Sequence, residues 1–115
     1  MINNLTSRDY IMSWVYLILA GIFEVGFGIS LKLMNGHKNI PWTITFYLCI
    51  ACSFFFMNLA IRAIPLGTAY AVWTGIGTAG VVIAGFCFLN ETVTVLRVTF
   101  LSLLLLSIVG LKFTS

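Results

Sequence analysis

Charge is what this chain has least of. Only 8% of its 115 residues are charged, three are acids and one is a histidine. The six basic residues stand apart from one another rather than on one face or in a run, which argues against a nucleic-acid partner. Cysteine is sparse too. Cys49 and Cys52 have the C-x-x-C spacing but lie inside an apolar segment with no histidine beside them, so they and Cys87 read as small apolar packers. That leaves no metal site, no phosphate-binding loop, no implied cofactor and no nucleophile with a positioned base. An enzyme is not expected. Only two prolines are present, Pro41 and Pro65, and no Pro-, Gly- or Ser-rich linker divides the chain. A second domain has nowhere to begin.

What the chain has instead is apolar length. Hydrophobic residues make up 61% of it, more than a water-soluble domain of this size can keep inside. Polar breaks divide it into four apolar segments, 13–33, 41–61, 66–89 and 94–113. Each has about the 20 residues that cross a hydrocarbon core about 30 Å thick. The breaks are short, and short connections make neighbouring helices antiparallel. The expected fold class is an all-α membrane protein with four transmembrane helices. Residues 12–115 form this unit, and residues 1–11 are expected to be a disordered extension, with Met12 as an alternative start. The first segment is too long for the apolar region of a signal peptide.

The basic residues divide evenly between the two sides of such a bundle. Arg8, Arg62 and Lys112 fall on one side, and Lys32, Lys38 and Arg97 on the other. The excess of Lys and Arg that normally fixes orientation is absent. A chain without that bias can insert both ways, and oppositely inserted copies can pair; a single orientation set by some other feature is, on charge alone, an equal alternative. Four helices are too few to enclose a polar pathway, so an antiparallel dimer is expected. It would place inverted symmetry around a site near the midplane, which larger transporters reach with internal repeats.

Glu24 is the one acid inside an apolar segment. It lies eleven residues after Ser13, about 16 Å along a helix and so close to mid-membrane. A carboxylate at that depth is costly and marks a functional site by default; a protonated Glu that only ties helices together is the alternative. Two such groups across a dimer axis would titrate as one unit. A site of this kind holds protons or a cation, and the competition between them is the basis of exchange.

Gly21, Glu24 and Gly28 share one helix face, where small residues admit a neighbouring helix or a substrate. Tyr70, Trp73, Thr74 and Gly77 share a face of the third segment. Aromatic rings at that depth suggest a box for a cation, or equally the filling of a bundle core. Gly75, Gly77 and Gly80 are candidate hinge positions, and close helix packing is the other use of such glycines. Ser53 is a candidate hydrogen-bond partner for substrate or for Glu24, although a lone serine in a helix more often bonds back to its own backbone. The fourth segment, with Ser102, Ser107 and Gly110 among aliphatic residues, suits helix association.

These residues resemble the small multidrug resistance family of four-helix, proton-coupled exporters. The resemblance runs from about Met12 to Ser115. It rests on Ala20-Gly-Ile-Phe-Glu-Val25, on Pro65-Leu-Gly-Thr-Ala-Tyr-Ala-Val-Trp-Thr-Gly-Ile-Gly77 and on Gly110-Leu-Lys112. The Trp-Thr-Gly-Ile-Gly form is similar to the guanidinium-exporting branch. The resemblance implies a multi-pass protein of the bacterial inner membrane that works as an antiparallel homodimer, or as a heterodimer with a paralogue. Its implied activity is to exchange a small organic cation for protons without a cofactor. By the same resemblance Glu24 is the carboxylate that takes protons or substrate in turn, and Gly21, Ser53, Tyr70 and Trp73 build the site around it.

Two positions depart from the pattern. Phe27 stands where that branch carries a Trp; it keeps an aromatic wall but has no indole N–H to donate. Asn90-Glu91-Thr92 stands where a Glu-Pro pair is common. The expected substrate is guanidinium or a substituted relative, with bulky quaternary ammonium ions as the alternative that Phe27 keeps open.

Overall fold

The structure, a computed structural model, describes residues 7–114 as four helices: α1 (Ser7–Leu33), α2 (Ile40–Ala60), α3 (Leu66–Phe88) and α4 (Val95–Thr114). All four are long and apolar enough to cross a membrane. No strand occurs among the described residues.

α2, α3 and α4 start and stop within one residue of the expected bounds, and α1 does not. Residues 7–11, expected in a disordered extension, are helical; residues 1–6 of that extension lie outside the described residues. The longer helix has local causes. Asp9 occupies the first turn, where a negative charge suits the helix dipole. The Ser13 hydroxyl donates to the Asp9 carbonyl at 3.0 Å, and the Tyr10 ring sits edge-on to Trp14 at 6.3 Å.

The connections are made by residues suited to turning. Asn35, Gly36 and His37 take φ values of 51°, 63° and 72°, the left-handed region that glycine and asparagine tolerate best. Asn39 then caps α2: its side-chain oxygen accepts from the Trp42 amide at 3.3 Å. Pro41 follows in the first turn, where its missing N–H costs nothing. At the far end of α3, the Gly85 carbonyl accepts from the amides of both Leu89, at 3.2 Å, and Glu91, at 3.0 Å. Asn90 turns the chain at φ 57°, and the Thr94 hydroxyl caps α4 by accepting from the Arg97 amide at 3.1 Å.

α1 is the central helix, packed on both α2 and α3, whereas α4 packs along α3 alone. The Cα trace measures 47 × 36 × 18 Å, a slab rather than a closed bundle. The core lies toward the end that carries Arg62, around Trp14, Leu17, Met57, Ile64, Val72 and Trp73. α4 buries no residue. It does touch α1 at its tip, where the Lys112 amine lies 5.2 Å from the centre of the Trp14 ring. That contact puts the start of α1 and the end of α4 on one side of the slab.

Candidate functional site

α1 and α3 meet along an interlocking seam of glycines. A Cβ on Gly21 would stand 2.6 Å from Ile76 Cγ2, and one on Gly28 would stand 2.6 Å from Val81 Cγ2. The exchange runs the other way as well. A Cβ on Gly77 would meet the Glu24 carboxylate, and one on Gly80 would meet Val25. Glu24 therefore lies flat against the α3 backbone at Gly77. Any larger residue there would push the carboxylate away.

Glu24 also borders a cleft of about 260 Å³. Phe27, Gly28, Gly77, Thr78, Val81 and Val82 line the rest of it. The cleft runs from Glu24 away from the packed Arg62 end. Oε2 of Glu24 is buried and has no hydrogen-bond partner among the described residues. A buried acceptor left open is costly and calls for a donor. Thr78, the other side chain with a polar atom on the lining, already donates to the Thr74 carbonyl at 2.7 Å.

Ser53 and Trp73 form a second constellation. The Trp73 indole donates to the Ser53 hydroxyl at 2.9 Å, and that hydroxyl donates to the Ala20 carbonyl at 2.7 Å. Three helices are tied by this buried chain: α3 through Trp73, α2 through Ser53, and α1 through Ala20, one turn before Glu24. Ser53 was expected to hydrogen-bond substrate or Glu24, and here its proton goes to Ala20. Trp73 lies against Phe54, ring centres 5.1 Å apart, outside the Glu24 cleft of its own chain. Tyr70 packs edge-on against Trp73 at 5.5 Å and is 56% exposed; no hydrogen bond joins it to Glu24 among the described residues.

Of the expected site residues, the structure gathers Glu24, Phe27 and Gly77 around the cleft, with Gly21 next to it on the seam. Gly75 and Gly80 lie on an α3 that is continuous from Leu66 to Phe88. Each receives a neighbouring side chain, Ile108 of α4 at Gly75 and Val25 of α1 at Gly80. Phe46 of α2 was not anticipated. Its ring stands perpendicular to Phe27, centres 6.2 Å apart and planes at 86°. Nothing in the spacing of α2 marks it, because only the cross-helix register brings it to Phe27. No cluster of residues able to hold a metal ion occurs among the described residues.

An unpaired carboxylate facing a cleft between apolar spanning helices defines a multi-pass membrane protein with an intramembrane ionisable site. Residues 12–104 match the family described as "Small Multidrug Resistance protein", and the chain belongs to that family. Among its relatives is a protein of Yersinia pseudotuberculosis named "Guanidinium exporter", 40% identical over 104 residues, which are 90% of this chain and all of that protein. The Bacillus licheniformis protein named "Probable guanidinium efflux system subunit GdnD" is 41% identical over the same shares. An Escherichia coli (strain K12) "Guanidinium exporter" is 36% identical over 90% of this chain and 99% of its own length.

Proposed function

We propose that the protein exports guanidinium-type cations across the bacterial inner membrane in exchange for protons, with Glu24 as the group that both compete for. The observation that carries this reading is the carboxylate itself: pressed on Gly77, facing the cleft, with Oε2 unpartnered. The names and coverage of its relatives support guanidinium as the cargo class.

The chemistry follows from the geometry of the two ions. A planar guanidinium offers parallel N–H donors that a carboxylate accepts in pairs, the strongest form of charge-assisted hydrogen bond. A protonated carboxyl has lost the charge and one acceptor that this pairing needs. Proton and cation therefore exclude each other at Glu24. If the site changes sides only when one or the other is bound, the movement of either is coupled to the opposite movement of its competitor.

The working unit is an antiparallel dimer. Three observations support it: the balance of basic residues between the two sides, the slab shape, and α4 with no buried residue. Within it, Ser53 and Trp73 position α1 through Ala20, and exposed Tyr70 meets the facing protomer near its carboxylate. Gly75, Gly77 and Gly80 let α3 bend as the site changes sides. The word "subunit" in the Bacillus relative's name favours one further reading, assembly with a non-identical partner of the same family.

The test is made in liposomes with the purified chain. A guanidinium gradient is imposed at clamped voltage, and internal pH is followed with a trapped dye. Inward guanidinium should drive protons out. A flat trace would reject the proposal.

A further inference from the structure

The last turn of α4 is a part of the chain that the exchange mechanism leaves without a role. Along its length α4 packs on α3 alone, with Ile108 and Leu111 reaching the core cluster. At its end Lys112 crosses to α1. The Lys112 amine lies 5.2 Å from the centre of the Trp14 ring and 5.8 Å from that of Phe113, within reach of a cation–π attraction. On α1 the same Trp14 ring meets Tyr10 edge-on at 6.3 Å, with the planes at 70°. Tyr10 belongs to the turn of α1 that precedes residues 12–104, the stretch matched to the family.

These ring contacts matter because no hydrogen bond fixes Trp14. The residue is 5% exposed, and its indole N–H is buried with no acceptor among the described residues. A buried donor left unpaired is unfavourable. The side chain is therefore held by what its ring touches: Tyr10 orients it along α1, and Lys112 ties it to α4.

Glu24 sits between α1 and α3, and Ile108 of α4 sits on Gly75 of α3. For the site to open toward the Arg62 side, α1 must part from α3 and α4 at this end. The Lys112–Trp14 contact then has to break. In the antiparallel unit proposed above, each side of the membrane holds this end of one chain only. Changing sides closes it in one chain as it opens in the other. Both end states keep one such contact made, and the state between them has neither. A contact made equally in both end states shifts no equilibrium between them, but it raises the barrier that separates them.

We propose that Lys112, Trp14 and Tyr10 form a latch between α4 and α1 that releases each time the site changes sides and so sets the pace of exchange. This rests on the export reading above and adds a control on its rate.

The experiment measures guanidinium-driven proton movement in liposomes at saturating cation, with Kd for guanidinium taken by calorimetry on the same protein. Lys112→Met is made together with Lys38→Met, so that each side loses one basic residue and the charge balance is kept. Arg62→Met with Lys38→Met is its control, with the same charges lost and the latch intact. The Lys112 pair should exchange about threefold or more faster than the Arg62 pair, with Kd unchanged. Tyr10→Ala alters no charge; it should also raise turnover, yet add nothing in the Lys112 pair, because both act on one contact. Tyr10→Phe keeps the ring and should keep wild-type turnover. A merely structural role would lower turnover and stability together. Turnover in the Lys112 pair equal to or below that of the Arg62 pair would overturn the latch and leave export standing. If the Lys112 pair does not fold, the corresponding Gln pairs are read by the same criteria. Absence of proton movement in the wild type would overturn both readings together.

Discussion

At the scale of single residues, Glu24 is held by what Gly77 lacks. With no Cβ at Gly77, the carboxylate rests on the α3 backbone, and Glu24 still borders the cleft. Gly77→Ala should displace the carboxylate and lower exchange about tenfold or more, since misplacing a reacting group by about 1 Å can cost 10²-fold. Intrinsic fluorescence and gel filtration would show whether the fold survives. Ser53→Ala acts differently. It leaves the Trp73 indole N–H, now paired at 2.9 Å, buried without an acceptor, a loss of about 1–3 kcal/mol. Thermal unfolding in detergent should show that loss. Glu91 provides the contrast between the two acids. Its link to Arg97 is 3.4 Å long, and both side chains are 43% exposed, so Glu91→Gln should cost about 0–1 kcal/mol and leave coupling in place.

At the scale of elements, the four spans were legible because membrane helices announce themselves by apolar length. The seam was legible in part. Gly21, Glu24 and Gly28 share a face by spacing alone, and that face does meet α3. What α3 returns to it was not legible. Trp73 and Gly77 lie one turn apart on the same stripe, yet Gly77 abuts Glu24 while Trp73 turns toward Ser53 and Phe54. Periodicity gives the stripe but not the angle at which two helices cross, and the crossing decides which residue of the stripe reaches the carboxylate. Phe46 was hidden for the same reason. The start of α1 was missed on different grounds: polarity in residues 7–11 reads as disorder, although a polar turn can extend a helix beyond the lipid once Ser13 and Trp14 grip it. The turn before α2 carries its own test. Gly36 sits at φ 63°, where a Cβ costs about 1–2 kcal/mol. Gly36→Val should lower stability by about that amount without changing the KM for cation.

At the scale of the whole molecule, α4 is the helix least covered by the rest of the chain. α4 has one neighbour along its length and no buried residue, and Leu106 on it is 67% exposed. If that surface joins the chains of the proposed dimer, Leu106→Lys should shift the purified protein toward monomer in light scattering and reduce exchange with it. Coupled export by this route requires above all that proton and cation share Glu24. Its most direct test is to add guanidinium to the purified protein in weakly buffered solution and record protons released alongside heat of binding. Protons should be released as cation binds, affinity should fall as pH is lowered, and both signals should be lost in Glu24→Gln. Guanidinium binding with no proton release, or equal release from Glu24→Gln, would contradict it.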